Sequence, residues 1–289
     1  MIKYFKLVKF SHTIFALPFA IIGFFLGADS ISTDKESASP NLIFKFILML
    51  ICMITARSAA MAFNRYADRK FDGRNARTSS REIPSGVISE NAALLFIIVN
   101  CILFVSTTFF INKICFYLSP VAILVVLGYS YTKRFTSLCH LFLGAGLGLA
   151  PIGAYLTVTG SFSIIPVLLS FSVLFWVSGF DIIYALQDEE FDRNNNLHSI
   201  PVWIGRKNSL ILSSALHLFC ATLIFFVGYV GEFNWIYWLG ASLFLFFLIY
   251  QHSLVKVNDL SKVNLAFFTM NGIASIIFGM ITIISIFIM

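Results

Sequence analysis

The 289-residue chain is 58% hydrophobic and 12% charged, against about 45–50% apolar and about 25% charged residues in an ordinary soluble domain. A mean hydropathy of +0.88 excludes disordered and nucleic-acid-binding classes and argues against a water-soluble globule. The net charge of +6 then reads as an excess of Lys and Arg in loops flanking a membrane.

In chain order, apolar segments lie near residues 13–28, 42–63, 92–111, 115–132, 138–158, 163–185, 208–230, 233–251 and 264–289, each close to the ~20 residues with which a helix crosses a bilayer. The fold class expected is an all-α polytopic membrane protein with nine transmembrane helices. The boundary between the third and fourth spans rests on Asn112 and Lys113 alone. With the N-terminus inside, Lys3, Lys6 and Lys9, the run from Arg65 to Arg81, Lys133 and Arg134, Arg193, Arg206 and Lys207, and Lys256 and Lys262 share the cytoplasmic side, while the opposite loops keep Lys35 and Lys113. That asymmetry follows the positive-inside rule. No cleavable signal peptide is evident. Cys52, Cys101, Cys115, Cys139 and Cys220 stand singly, mostly in apolar runs, and read as small core hydrophobes.

Two acidic clusters mark the cytoplasmic ends of spans. In NRYADRKFD, Asn64, Asp68 and Asp72 recur every four residues; in DIIYALQDEEFD, Asp181, Tyr184, Asp188 and Asp192 follow the same stripe. At ~100° per residue each four-residue step advances ~40°, so either set can line one face of a helix and its extension. Like charges at that spacing repel unless cations neutralise them, and Mg²⁺ is the cation that carboxylates hold together with substrate phosphates. The competing reading is of solvated helix-end acids paired with Arg65, Arg69 or Arg193. Two DxxxD clusters four spans apart, hence on one side of the membrane, favour a shared site. Ile83-Pro84 and Gly86 after the first, and Ile200-Pro201 and Gly205 after the second, suggest two weak parallel repeats, about 1–135 and 136–289, within one domain spanning 1–289.

Basic residues accompany the acids. Arg77 and Arg81 follow the first cluster, and Lys133 and Arg134 end the fourth span; all four are candidate phosphate ligands. Arg57 lies inside the second span on the face of Asn64 and Asp68, where a charge is functional by default. Tyr129, Tyr131 and Tyr184 can shield a carbocation through their ring faces or serve as interfacial tyrosines. His12 is a candidate substrate contact and His198 can approach a phosphate. His140, His217 and His252 have no partner identifiable in the sequence.

These residues resemble the UbiA family of intramembrane prenyltransferases, and in particular its 4-hydroxybenzoate polyprenyltransferase branch. The likeness covers nearly the whole chain, through KFSHTIFALPFA, RSAAMAFNRYADRKFDGRNARTSSREIPSG, YSYTKRFT and YALQDEEFDRNNNLHSIP. It implies a nine-helix bundle whose central cavity opens near the cytoplasmic side and binds a polyprenyl diphosphate through Mg²⁺ held by Asn64, Asp68, Asp72, Asp188 and Asp192. It further implies an enzyme of quinone biosynthesis, ubiquinone or menaquinone, in a bacterial inner membrane, transferring the prenyl group to an aromatic acid such as 4-hydroxybenzoate. Arg57 then fixes the acceptor carboxylate or pairs with Asp68, and Asp181 and Tyr184 position the acceptor or take its proton. Where many ubiquinone-pathway members carry a Lys-Ser pair, this chain has LHSIP, a form similar to menaquinone enzymes acting on a futalosine-derived aromatic acid. A CDP-alcohol phosphatidyltransferase is the rival enzyme class: Asp72, Gly73, Ala76, Arg77 and Gly86 match its pattern, but Arg69, Glu90 and Leu94 stand where it needs aspartates. A transporter without chemistry is the non-enzymatic alternative.

Overall fold

The computed structural model describes residues 2–8, 15–32 and 41–288, and every described element is helical apart from one isolated bridge between Lys256 and Asp259. In chain order the α-helices are α1 (Ile2–Leu7), α2 (Leu17–Ser32), α3 (Leu42–Ala67), α4 (Arg69–Asp72), α5 (Glu90–Ile111), α6 (Lys113–Thr132), α7 (Cys139–Thr159), α8 (Ile164–Ala185), α9 (Glu189–Asn194), α10 (Ile200–Val230), α11 (Trp235–Leu254) and α12 (Asn271–Ile288). Among the described residues eight helices are long and apolar enough to cross a membrane, and Leu17–Ile31 adds a shorter apolar one. The chain is an integral membrane protein, and with α2 counted the apolar helices among the described residues match the nine spans expected.

The turn at Asn112 is a true boundary. Its side chain accepts from the Cys115 N–H at 2.9 Å, capping α6, and donates to the Leu156 carbonyl at 2.7 Å, so the short polar break is fixed to α7 rather than read through. Ahead of the seventh span, expected from near residue 208, helical structure already begins at Ile200. Pro201 suits the first helical turn, and Gly205, at φ 75 and ψ 167, leaves helical geometry, so Ile200–Val230 is two helical pieces meeting at a kink and the polar run from Arg206 to Asn208 opens the second.

The spans form a ring. Packing runs α2–α3–α5–α6–α7–α8–α10–α11–α12 and closes back onto α2, which also packs on α7. The outward faces of α5 and α6 carry Leu95, Ile102, Phe109, Phe110, Tyr117 and Leu124, all exposed; lipid tails are as apolar as these side chains, so close packing rather than hydrophobicity must draw the helices together. A Cβ on Gly23 would overlap the Pro151 carbonyl, and one on Gly144 would overlap the Leu174 carbonyl and the Ser178 hydroxyl. Those two glycines let α2 and α8 approach α7.

The core packs Phe19, Trp176, Phe180, Phe244 and Phe278 between α2, α8, α11 and α12. Just before α12 the backbone widens into a π-helical segment, Leu265–Met270. Its carbonyls at Ala266 and Phe267 accept from the Asn271 side-chain amide at 3.0 and 2.9 Å, while Asn271 Oδ1 accepts from Trp176 Nε1 at 2.8 Å. The distortion is thus satisfied by a buried amide, as a widened turn in lipid requires.

Candidate active site

A cavity of about 890 Å³ opens among α3, α6, α7 and α8, and Asn64, Asp68, Asp72, Asp181, Asp188 and Asp192 all border it. Neither acidic row lies on one continuous helix. Helix α3 stops at Asp68, whose N–H still donates to the Asn64 carbonyl, and α4 resumes from Arg69; α8 passes through a 3₁₀ turn, Leu186–Asp188, into α9. Both rows break at their middle carboxylate, where repulsion at four-residue spacing disfavours an unbroken helix, yet both still face the one cavity.

Asp68, Asp72, Asp188 and Asp192 each have their own cation. Arg81 Nη1 meets both Asp72 oxygens at 2.7 and 2.8 Å, Arg77 Nε donates to Asp188 Oδ1 at 3.1 Å, Lys133 Nζ lies 2.7 Å from Asp192 Oδ1, and Arg134 Nη2 lies 3.6 Å from Asp68 Oδ1. Two of these pairs cross between the halves of the chain, because Arg77 and Lys133 belong to the first half and their carboxylates to the second. Asn75 adds a further crossing bond to Asp188 at 3.3 Å.

The electrostatics follow from burial within this cluster. Asp68 is pushed up to about 6, by burial and then by the Asp72 charge, and Lys133 and Arg134 offset this only in part. Burial works against the Lys133 ammonium, but Asp192 and Asp188 outweigh it and hold its pKa above the ordinary lysine value. Arg77 is raised likewise, Asp188 and Tyr184 overcoming the burial cost. Lys133 acts on Asp68 as well as on the second row, so it stands within electrostatic reach of both.

The partners expected for solvated helix-end acids are engaged elsewhere. Arg65 pairs with Glu82 at 3.3 Å, Arg69 with Glu90 at 2.8 Å and Arg193 with Glu189 at 2.8 Å, and the four aspartates pair instead with Arg77, Arg81, Lys133 and Arg134. The buried Arg65–Glu82 pair also anchors the segment 73–89 that carries Arg77 and Arg81. Thr78 Oγ1 donates to the Asp72 carbonyl at 3.1 Å, and Ile88 is buried beneath it.

Deeper in the cavity stand Arg57, Tyr129, Asp181, His140, Tyr184 and Phe267. Arg57 makes no ion pair with Asp68, and its buried Nε has no partner among the described residues. Tyr129 lies within electrostatic range of Arg57, Asp68 and Asp181 together, which brings those three into one neighbourhood. Tyr184 accepts from Arg77 Nη1 at 3.0 Å, and its ring lies 4.2 Å from that of Phe267, centroid to centroid.

Three expectations need correction and one falls outside the structure. Tyr131 does not border the cavity: the residue is 40% exposed and its ring lies beneath the Arg134 guanidinium at 4.6 Å, because two residues along a helix from Tyr129 is a turn of ~200°. His198 presents its side chain to solvent and contributes through its backbone, whose N–H donates to the Lys133 carbonyl at 2.7 Å. Arg134 braces α3 from outside the cavity, donating to the Ala67 carbonyl at 2.6 Å. His12 lies outside the described residues.

Sequence reasoning missed His140, Asn75 and Phe267. His140 had a usable signal, being an ionisable residue inside an apolar span; Asn75 and Phe267 had none, since a loop bond across 113 residues and a π turn leave no periodic trace.

The donor set formed by Asn64, Asp68, Asp72, Asp188 and Asp192 is all oxygen, the hard chemistry Mg²⁺ prefers. Among the described residues no three acidic, His or Cys side chains stand close enough to cage an ion unaided; Mg²⁺ ordinarily takes one or two carboxylates and completes its shell with substrate phosphates and water.

The helical bundle and the two acidic rows facing one cavity define a class of polytopic membrane proteins with a charged site at one end of an intramembrane cavity. The chain belongs to the UbiA prenyltransferase family, whose model matches residues 16–273, and it is a prenyltransferase by that membership. A 4-hydroxybenzoate octaprenyltransferase of Tolumonas auensis is 30% identical over 237 residues, covering 81% of this chain and 82% of the relative. The apo structure of a UbiA homologue from Aeropyrum pernix K1 superposes with a TM-score of 0.83 at 28% identity, over 94% of this chain and 97% of the other. A UbiA homologue from Archaeoglobus fulgidus, bound to DMAPP and Mg²⁺, gives 0.76 at 22% identity over 99% and 100% of the two chains. The phosphatidyltransferase alternative fails on position as well: Glu90 is taken by Arg69, and Leu94 is 38% exposed on the outer face of α5. Family membership likewise sets aside a transporter without chemistry.

Proposed function

We propose that this enzyme transfers a polyprenyl group from a polyprenyl diphosphate to an aromatic acid, 4-hydroxybenzoate being the reference acceptor, with Mg²⁺ as cofactor. The carrying observation is that the cavity has two polar poles. At one end are four aspartates, each with its own cation; on α3, about 16 Å deeper along the helix axis at 1.5 Å per residue, is Arg57 with its buried Nε unpartnered among the described residues. A diphosphate suits the first pole. A carboxylate, which guanidinium binds bidentately, suits the second.

Asn64, Asp68, Asp72, Asp188 and Asp192 would hold the metal, a use supported by the Mg²⁺ and DMAPP bound in the Archaeoglobus fulgidus homologue. When bound, Mg²⁺ neutralises the diphosphate as a Lewis acid and so eases ionisation of the allylic C–O bond. Freed from their carboxylates, Arg77, Arg81 and Lys133 bind diphosphate oxygens and stabilise the leaving group as its charge develops. Tyr184, Phe267 and Phe180 wall the path of the allylic cation, the last two with centroids 5.3 Å apart; their ring faces attract the cation and keep out the water that would quench it. The acceptor lies with its carboxylate on Arg57 and its hydroxyl-bearing end toward the acidic rows, and Asp181 takes the proton lost when aromaticity returns. The positive-inside pattern supports a cytoplasmic orientation of the acidic rows, in keeping with a bacterial inner membrane, and the acceptor class fits quinone biosynthesis.

Purified enzyme incubated with labelled prenyl diphosphate, Mg²⁺ and a panel of 4-hydroxybenzoate, a naphthoate and glycerol phosphate tests this reading. C-prenylated 4-hydroxybenzoate is the expected product. A naphthoate product keeps the reaction and moves the acceptor to the menaquinone branch, whereas a glyceryl product, or none, overturns the aromatic-acid assignment.

A further inference from the structure

His140 is buried in α7, its side chain 4% exposed, with Nδ1 2.7 Å from Asp181 Oδ2 on α8. Its other ring nitrogen, Nε2, faces the backbone N–H of Ile200 at 3.3 Å, the first residue of α10. An N–H in a helix's first turn has no carbonyl of its own helix to bond, and it can only donate. Nε2 is therefore the bare, accepting nitrogen, and the ring proton sits on Nδ1, directed at Asp181. One tautomer and one ring orientation result.

This bond leaves the carboxylate asymmetric. Oδ2 is held by His140, while Oδ1 has no hydrogen-bond partner among the described residues, and Asp181 borders the cavity at 23% side-chain exposure. Joining α7, α8 and α10 does not by itself call for such a pair, since taking charges out of water is costly and apolar packing holds helices as well. The other buried histidine shows the contrast: His217 bonds His252, Gln251 and the Trp176 carbonyl, has no carboxylate, and does not border the cavity.

We infer that His140 is the positioning residue for the base of prenyl transfer, fixing Asp181 so that its Oδ1 faces the acceptor ring. The inference rests on the aromatic-acid reading above. In the step, a ring π pair forms the new C–C bond to the allylic carbon, and the C–O bond to diphosphate breaks with its pair leaving on the diphosphate. The ring C–H bond then breaks, its pair restoring aromaticity, and the proton passes to Asp181 Oδ1 and on to water at product release. His140 does not itself take this proton, because Nδ1 already carries one and Nε2 is engaged by Ile200.

The test compares the wild type, His140→Leu and His140→Gln with 4-hydroxybenzoate and its ring-deuterated form. Leucine can hold neither Asp181 nor Ile200; a glutamine amide can donate to the first and accept from the second. The expected results are no primary isotope effect in the wild type, a kcat about tenfold or more lower in His140→Leu with an isotope effect now visible and an unchanged KM for the prenyl diphosphate, and recovery of most activity in His140→Gln. Thermal midpoints in detergent confirm that each variant is folded. Wild-type kcat in folded His140→Leu, or a loss there with no isotope effect and no recovery by glutamine, overturns the role of His140 and leaves the aromatic-acid reading intact. A wild type that prenylates no aromatic acid overturns that reading and this inference together.

Discussion

Arg77 and Asp188 are 111 residues apart in sequence and joined in space, the guanidinium Nε donating to the carboxylate at 3.1 Å while Nη1 reaches Tyr184 at 3.0 Å. The segment after the first acidic row is thereby fastened to the second. Arg77 is the counterion of Asp188, and under the proposed function it becomes a diphosphate ligand when the donor arrives, so its loss should act on binding of the prenyl donor.

Arg77→Ala is expected to lower kcat/KM for the prenyl diphosphate by roughly 10- to 100-fold, because a hydrogen bond to a charged group contributes about 1.5–3 kcal/mol. The KM for the aromatic acid should stay within about twofold. Lysine should recover little, since it cannot reach Asp188 and Tyr184 with one planar fork. Steady-state kinetics with each substrate varied in turn gives the answer; a selective rise in the acceptor KM would place Arg77 at the other pole.

Arg57→Ala is expected to show the opposite selectivity. With the buried guanidinium gone, the acceptor carboxylate has no cation at the deep pole, and its KM should rise by roughly 10- to 100-fold while that for the prenyl diphosphate holds. A neutral acceptor such as the carboxamide of 4-hydroxybenzoate should be indifferent to the change. An increase confined to the prenyl donor would transfer Arg57 to the diphosphate.

Phe267→Ala should alter the outcome of the reaction more than its rate. The π turn sets this ring 4.2 Å from Tyr184, and under the proposed function it walls the path of the allylic cation. Removing it admits water to the allylic cation, so the ratio of free prenyl alcohol to prenylated acid should rise severalfold, on the order of the ~0.5–2 kcal/mol that a cation–π contact contributes. Chromatography of the labelled products measures the ratio, and an unchanged ratio would remove Phe267 from the cation's path.

Much of this site is legible in the sequence because its metal-type side chains recur at the helix period. Asp68 and Asp72, and Asp188 and Asp192, face one cavity although each row breaks at a turn, since a short interruption at the middle carboxylate shifts the stripe without reversing it. Arg57 was marked by its depth in an apolar span. Tyr131 went astray by ignoring the same period, as Tyr129 and Tyr131 must look in nearly opposite directions on α6. The pairings of Arg77 with Asp188 and Lys133 with Asp192 depend on how loops close over a bundle, which no local pattern encodes. The bond from His140 to Asp181 depends on two helices packing through Gly144 and on the start of a third, and it became visible only with the backbone in place.

Metal-dependent prenyl transfer by the four aspartates is tested most directly by assaying purified enzyme with labelled prenyl diphosphate and 4-hydroxybenzoate, across a Mg²⁺ titration, in the wild type and in Asp68→Ala, Asp72→Ala, Asp188→Ala and Asp192→Ala. The expected result is turnover in the wild type that vanishes with EDTA and returns with Mg²⁺, and no turnover in any of the four variants at any Mg²⁺ concentration. Undiminished turnover in EDTA, or wild-type rates in two of the folded variants, would contradict it.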